Sequence, residues 1–284
     1  MENNRKKVRY RLIALDMDGT ALNDEKQMDA LTQETIHQAL AMGKEVIFCT
    51  GRSVAEMENF LALFPDMHYL LCESGALIYD LQNKKSLHRD TFPADAVQAL
   101  RETAAGRDIM PNVFSEGNNC LNRSQIDRLA DYGMGPYTNT IPPIAICFED
   151  VLSDEALLQA GAEKINFYHR TAQDRAISRK MLEEKHARLV MADAETTSLE
   201  CSPLNVDKGS GMRALSKITG ISTEEMIMVG DANNDIGGLK QAGLAVAMGN
   251  ANEQVKEICH TVVADNNHSG AAEAIRRFLL EDED

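Results

Sequence analysis

The fold turns on the stretch Leu12-Ile13-Ala14-Leu15-Asp16-Met17-Asp18-Gly19-Thr20. Its first half closes a short β-like run, Arg9 to Leu15, and its small, acidic second half signals the loop at which that strand stops. A helix is expected next. Thr32 to Met42 carries Ile36, Ala39 and Leu40 on one face, and Gly43 ends it as a left-handed cap would. Glu45 to Cys49 is again apolar and partly β-branched, is broken at Thr50-Gly51-Arg52, and leads to a second helical stretch, Val54 to Leu63, which Pro65 closes. Tyr69 to Cys72 is the third strand. This β-loop-α-β-loop-α-β alternation argues for a parallel, doubly wound sheet with right-handed crossovers.

The end of the chain resumes the same grammar. Gly209 to Thr219 reads as a helix, Met226 to Val229 as a buried strand ending at Gly230-Asp231, then come a helix up to Ala242 and the apolar run Leu244 to Met248. Val255 to Cys259, Thr261 to Ala264 and Gly270 to Leu280 read as helix, strand and helix. Between these halves the character changes. Helical segments (Asp95 to Ala105, Gln125 to Tyr132, Asp154 to Ala160, Ala172 to Lys185) alternate with strand-like ones (Ile109 to Phe114, Ala145 to Phe148, Ile165 to Tyr168, Arg188 to Met191), and five of the seven prolines fall here. The expected fold class is therefore α/β: a doubly wound, Rossmann-like core made of residues 1–85 and 191–284, split by an inserted α/β unit of residues 86–190. No internal repeat, low-complexity tract or heptad pattern is visible.

Composition narrows the function classes. The 284 residues carry 44 acidic against 29 basic side chains, a formal net charge of −15, which disfavours nucleic acid because a phosphate backbone needs a clustered basic surface. Such a chain also repels anions, so an anionic substrate would need a local device to hold it. The longest runs free of polar side chains, Ile141 to Phe148 and Ala242 to Gly249, are eight residues each, against the roughly 20 of a spanning helix. Basic residues Arg5, Lys6, Lys7, Arg9 and Arg11 precede an apolar stretch that runs straight into Asp16, which is not the form of a signal peptide. That cluster and the acidic end Glu281 to Asp284 read as solvated ends. Six widely spaced cysteines (49, 72, 120, 147, 201, 259) contain no C-x-x-C pair, and four of them sit in or beside apolar runs. Reduced thiols and a cytoplasmic location are expected.

In an open α/β sheet the ligand crevice lies beyond the carboxyl ends of the strands. Those ends deliver Asp16 and Asp18, then Thr50 and Gly51, then Asp231 and Asp235: four carboxylates and a hydroxyl on one rim. Carboxylates so gathered repel one another unless a cation lies between them, and hard oxygen ligands without cysteine or histidine select Mg²⁺. A magnesium ion would turn an acidic pocket into a phosphate site. The i, i+2 pair Asp16 and Asp18 can divide covalent work, one as nucleophile and the other as acid and then base, with Gly19 allowing the turn and Thr20 bracing it. Thr50-Gly51 offers a hydroxyl and a backbone N–H at a helix start, an anion site or simply a helix cap. Lys208, in Asp207-Lys208-Gly209-Ser210, precedes a helix and could neutralise phosphate or orient the nucleophile. Gly230-Asp231-Ala232-Asn233-Asn234-Asp235 follows an apolar strand and is otherwise an Asx-rich turn.

Taken together, Asp16-Met17-Asp18-Gly19-Thr20, Thr50-Gly51-Arg52, Lys208-Gly209 and Gly230-Asp231-x-x-Asn234-Asp235 resemble the four motifs of the haloacid dehalogenase superfamily, and their details look like its Cof-type branch of sugar-phosphate and related phosphatases. Supporting stretches are Glu73-Ser74-Gly75-Ala76, Leu199-Glu200 ahead of Asp207-Lys208-Gly209, and Ala242 to Ala251. The likeness covers about 180 residues of the two core segments. It implies Asp16 as nucleophile and metal ligand, and Asp18 as acid/base whose backbone carbonyl also binds the metal. Thr50, Gly51 and Lys208 would hold the phosphoryl group, Asn234 would support it, and Arg52 would lie near the substrate. Asp231 and Asp235 complete the Mg²⁺ ligands. The insertion corresponds to the branch's α/β cap, which closes over the site and selects the substrate. Three departures stand out: Ser74 for the usual Asn, Gly237-Gly238 for a bulky apolar pair, and Ser269-Gly270 for Asp-Gly. The second predicts a weaker helix, by about 1 kcal/mol per interior glycine.

The activity expected is Mg²⁺-dependent hydrolysis of a small phosphorylated metabolite, a sugar phosphate or similar, through an aspartyl-phosphate. A phosphomutase on the same fold and a non-catalytic sensor of a phosphorylated ligand are the rivals; Asp18 speaks against the sensor, which needs an acceptor aspartate but no leaving-group acid. In the cap, Arg123, Arg128, His169 and Arg170 are candidate anion or sugar contacts, although solvated surface positions suit each better. The sequence names neither the metabolite nor an oligomeric state.

Overall fold

The computed structural model describes residues 10–193 and 196–281, so the basic cluster Arg5 to Arg9 and residues 282–284 lie outside the described residues. In chain order the strands are β1 (Leu12–Leu15), β2 (Glu45–Cys49), β3 (Tyr69–Cys72), β4 (Leu77–Asp80), β5 (Lys85–Arg89), β6 (Met110–Ser115), β7 (Asn118–Asn122), β8 (Ile146–Phe148), β9 (Lys164–Tyr168), β10 (Leu189–Asp193), β11 (Ser198–Pro203), β12 (Met226–Gly230), β13 (Leu244–Ala247) and β14 (Thr261–Val262). They form two sheets, ordered β14-β13-β12-β1-β2-β3-β4-β5 and β10-β11-β9-β6-β7-β8.

The larger sheet is parallel from β14 through β3 and acquires β4 and β5 as an antiparallel edge. All four side chains of β1 are fully buried, as an uninterrupted apolar run must be when a parallel sheet is covered on both faces. From β1 the chain moves outward to β2 and β3 on one side, and later to β12, β13 and β14 on the other. The reversal of strand order therefore falls between β1 and β12, where the crevice of an α/β sheet opens. Their register, Leu15 opposite Val229, brings Asp16 and Asp231 out of the sheet side by side.

The insert is larger than its sequence suggested. Strand β5 still belongs to the larger sheet, but β10 and β11 belong to the smaller one, so the boundary expected at 190/191 cuts through β10 and the chain returns to the core only after Pro203. In β11 the order Ser198-Leu199-Glu200-Cys201-Ser202-Pro203 alternates, with Leu199 and Cys201 wholly buried and Glu200 partly exposed. Strand β7 escaped sequence reading because Asn118-Asn119-Cys120-Leu121-Asn122 has little strand propensity. It forms because Glu116 and Gly117, at φ of 53° and 82°, make a two-residue turn that pairs Ser115 with Asn118.

One face of the smaller sheet packs Val113, Cys120, Ile165, Phe167, Leu199 and Cys201 into an apolar cluster with Ala96 and Leu100 of helix Ala94–Ala104 and Leu182 of helix Ala172–Glu184. On the other face, the irregular segment 123–145 covers one end, over Met110, Leu121 and Tyr168. The remaining end of that face looks toward the core.

Candidate active site

Asp16 follows β1 directly and is anchored by its backbone N–H, which donates to the Val229 carbonyl at 3.1 Å. Its carboxylate is almost fully buried, a costly place for a lone charge, and Lys208 compensates it. The Lys208 ammonium, itself wholly buried, donates to Asp16 Oδ1 at 2.5 Å and to Asp235 Oδ1 at 2.6 Å. Lys208 is the first residue of helix Lys208–Thr219, whose N-cap Asp207 accepts from Ser210 N–H at 2.7 Å. Burial disfavours the charge on Lys208, but Asp16 and Asp235 more than offset this and raise its pKa.

Asp235 is fixed from its other oxygen: Oδ2 accepts the backbone N–H groups of Asp231 and Ala232, each at 3.0 Å. Asp231 Oδ1 accepts from Thr20 Oγ1 at 3.1 Å, so Thr20 braces the later loop and not its own turn. Ligand oxygens of Asp16, Asp231 and Asp235 all lie within 4.8 Å of one another. Burial, then the charge of Asp235, push the carboxyls of Asp16 and Asp231 up to about 7 and about 6, with Lys208 pulling both down. One lysine is thus too little positive charge for three carboxylates. Three oxygen donors with surplus negative charge suit a hard dication, and the group fits Mg²⁺.

Asp18 stands apart. Arg52 holds its carboxylate from two sides, Nε to Oδ2 at 2.9 Å and Nη2 to Oδ1 at 2.8 Å, and Lys26 Nζ adds a third contact at 2.8 Å. Burial works against the charge, yet Arg52 and then Lys26 keep this carboxyl down at about 2. Of the four aspartates expected on one rim, three therefore share a centre through their side chains while Asp18 faces two cations; only its backbone carbonyl is left for the ligand role expected of it. Beside the centre a cleft of about 450 Å³ is lined by Asp18, Gly19, Lys26, Asp231, Asn250 and Asn266, among others.

Thr50 is buried, and its Oγ1 accepts from Arg52 N–H at 3.2 Å. The helix that follows, Val54–Leu61, does not point free N–H groups at an anion: Ser53 and Glu56 form a capping box, and Ala55 N–H donates to the Gly117 carbonyl at 3.0 Å. Asn234 lies exposed on the turn Asn233–Asp235.

The glycine pair 237–238 has a reason beyond helix strength. Helix Ile236–Gln241 crosses the start of helix Lys208–Thr219 so closely that a Cβ at Gly237 would sit 2.2 Å from Asp207 Oδ2, and one at Gly209 would sit 2.4 Å from the Gly237 carbonyl oxygen. Bulkier residues would push Lys208 away from Asp16. Ser74 takes a left-handed conformation, φ 60°, in which Asn is favoured, and so does its neighbour Glu73 at φ 53°.

Sequence reading missed the residues that join cap to core. Lys164 of β9, 1 % exposed, donates to the Gly51 carbonyl at 3.2 Å and pairs with Glu200 at 2.8 Å. Asn119 of β7 meets the capping box, bonding Ser53 Oγ and donating to Glu56 Oε2 at 3.2 Å. Glu73 is wholly buried with both oxygens unpartnered, and burial followed by the Glu163 charge raises its pKa well above the ordinary range. The signal for Lys164 was the alternation Lys164-Ile165-Asn166-Phe167, which puts two polar residues on one face of a strand. Of the cap candidates, Arg123, Arg128 and Arg170 are exposed and pair with Glu149, Asp131 and Asp108. His169 is the exception to the surface expectation: it is buried between the Thr197 carbonyl (2.9 Å) and Ser178 Oγ (2.7 Å).

A doubly wound sheet carrying an acidic centre with one buried lysine at its strand-order reversal, overhung by an inserted α/β cap, defines a phosphoryl-handling class of α/β protein. The sequence profile of the haloacid dehalogenase-like hydrolases matches residues 13–275, and the chain belongs to that family. It is a phosphatase enzyme of the family. The chain is 27% identical over 282 residues to 5-amino-6-(5-phospho-D-ribitylamino)uracil phosphatase YcsE of Bacillus subtilis (strain 168), covering 99% of this chain and all of that one. A haloacid dehalogenase-like hydrolase from B. subtilis superposes with a TM-score of 0.76 at 26% identity, covering 95% of this chain and 100% of the other. One from Bacteroides thetaiotaomicron shares the fold at a TM-score of 0.83 and 24% identity, covering 95% and 99%. No helix among the described residues is long and apolar enough to cross a membrane.

Proposed function

We propose that this phosphatase is a Mg²⁺-dependent phosphomonoesterase that acts on a small phosphorylated metabolite, a sugar phosphate or similar, through an aspartyl-phosphate on Asp16. The observation that carries this reading is the position of the Asp16 carboxylate, fixed by Lys208 on one side and adjoining Asp231 and Asp235 on the other. Asp16, Asp231 and Asp235 would hold the metal together with the Asp18 backbone carbonyl. Mg²⁺ supplies charge that screens the approach of one anion to another and stabilises the equatorial phosphoryl oxygens.

The protein's own groups do the rest. Lys208 orients the nucleophile and, with Thr50 and Gly51, binds the phosphoryl oxygens. An Asp16 oxygen bonds to phosphorus as the ester P–O bond breaks, and the departing oxygen takes a proton from Asp18. Water then attacks the phosphorus, Asp18 removes its proton, and Asp16 is released with inorganic phosphate. With Arg52 and Lys26 in place Asp18 is ionised and suited to the second step, so protonating a leaving group requires its release from Arg52. The polyol phosphate in the name of the B. subtilis relative supports a small hydroxylated substrate class.

The test is release of inorganic phosphate from a panel of phosphate esters with and without Mg²⁺. Metal-dependent turnover that falls by about 10³-fold or more in Asp16→Asn supports the reading. Equal turnover in Asp16→Asn, or transfer of the phosphoryl group to a sugar hydroxyl in place of water, overturns it.

A further inference from the structure

The cap presents a polar row to the core that the catalytic steps above do not use. In antiparallel pairs, residues directly opposite share a face of the sheet. Asn166 of β9 lies opposite Asn112 of β6 on one side and opposite Glu200 of β11 on the other. The three therefore stand in a line across the sheet, on the face to which Lys164, two residues earlier on β9, also belongs. That face looks at the phosphate loop, because Lys164 reaches the Gly51 carbonyl. Its far end is closed by Tyr168, to which Asn166 Nδ2 donates at 3.4 Å, and by the segment 123–145. At the near end the joint is held by Asn119 of the cap, which bonds Ser53 and Glu56 just beyond the phosphate loop.

Within this row two acceptors lack donors. Asn112 and Asn166 are 1 % and 2 % exposed, and the Oδ1 atom of each is buried without a hydrogen-bond partner. Buried side-chain oxygens are nearly always satisfied, and one left open at a ligand-facing surface awaits a donor from the ligand. The charge balance of the row is equally specific. Its one cation, Lys164, is already neutralised by Glu200 at 2.8 Å.

Resting on the phosphatase reading above, we propose that Asn112 and Asn166 are specificity residues that accept hydrogen bonds from the hydroxyl groups of the leaving alcohol, so that the preferred substrates are phosphate monoesters of neutral polyols. On the cap side, a leaving group bearing a second phosphate or a carboxylate would meet a lysine already paired and two acceptor oxygens, so the cap row itself offers an anion no unpaired cation. Seating the leaving group requires the cap sheet to lift at the Lys164–Gly51 contact.

The experiment compares kcat/KM for ribitol 5-phosphate and n-pentyl phosphate, which match in carbon number and differ in hydroxyl groups, in the full-length enzyme with Mg²⁺. The wild-type ratio should favour the polyol ester by roughly 30-fold or more, and Asn112→Leu or Asn166→Leu should each cut that ratio by about tenfold, the effect of one lost hydrogen bond to a discriminating group. Asn166→Asp, which keeps acceptor oxygens, should retain the ratio within about threefold. A wild-type ratio near one overturns the proposal without any variant, and so does a ratio that both leucine variants leave intact. If p-nitrophenyl phosphate is hydrolysed while the ratio is near one, only the specificity assignment falls; if no ester is hydrolysed, the phosphomonoesterase reading falls with it.

Discussion

Replacing Lys208 by methionine tests the centre most directly, because it keeps the length of the side chain and removes only the charge. The ammonium lies 2.5 Å from Asp16 and 2.6 Å from Asp235, out of contact with solvent, and a third carboxylate, Asp231, adjoins them. Removing one partner of a buried ion pair costs about 3–5 kcal/mol, since the remaining charge is stranded in low dielectric. At about 2–4 °C per kcal/mol for a chain of this size, Lys208→Met should melt roughly 6–20 °C below wild type in chelator at neutral pH. The same variant gathers more uncompensated negative charge at the three carboxylates, so Mg²⁺ should raise its melting temperature by more than it raises that of wild type. Loss of the group that orients the nucleophile and binds the phosphoryl oxygens should lower kcat/KM by about 10²–10³-fold even at saturating Mg²⁺. Thermal melts by circular dichroism in EDTA and in Mg²⁺, with phosphate release on the same samples, give all three numbers. A variant that melts within about 2 °C of wild type in EDTA refutes the claim that Lys208 is what permits Asp16 and Asp235 to be buried together.

Three further outcomes are expected. Glu73 has a pKa raised by burial and Glu163, so the native state holds a proton that the unfolded chain gives up above its ordinary value of 4.5, and stability declines as pH rises beyond that. Glu73→Gln should remove the share of that decline that Glu73 causes, leaving the share of Asp16 and Asp231, and be more stable than wild type at pH 8 by about 1–3 kcal/mol, with little difference near pH 4.5; urea melts at both pH values check it, and parallel pH profiles would contradict it. Helix propensity alone favours Gly209→Ala by about 1 kcal/mol, but the added Cβ lies 2.4 Å from a backbone oxygen, so overpacking by about 1–3 kcal/mol wins and the variant should be destabilised with reduced turnover. Asn119→Ala removes the cap's hold on Ser53 and Glu56, and should lower stability by about 1–3 kcal/mol and speed proteolysis at the cap–core joint; unchanged digestion kinetics would contradict it.

Much of this protein was legible before any coordinates. The apolar run Leu12 to Leu15 stopping at Asp16, and Met226 to Val229 stopping at Gly230-Asp231, fix two central parallel strands by local pattern alone, and the crevice at their ends follows from how such sheets are wound. The four motif aspartates, Thr50 and Lys208 were therefore identifiable as one candidate site, because each sits at a strand end or a helix start that its own neighbours define. Polar strands were less legible. Asn118 to Asn122 and Ser198 to Pro203 are strands because the partner strands and the helices behind them supply the hydrogen bonds and burial that their own propensities lack, and the second cap boundary moved with them.

What the sequence determined by itself is the α/β core, its order of elements and the residues that meet at its rim, since hydrophobic periodicity and turn chemistry are local properties. What only the tertiary structure decided is how those residues divide. Asp16 and Asp235 share Lys208 beside Asp231 while Asp18 turns to Arg52 and Lys26; Gly237 is a matter of helix approach; Asn112 and Asn166 stand opposite each other on the cap-sheet face from which Lys164, far from Gly51 in the chain, reaches the Gly51 carbonyl. Side-chain pairing, desolvation and sheet register between distant segments set these outcomes, and none of them is encoded in any window of neighbouring residues.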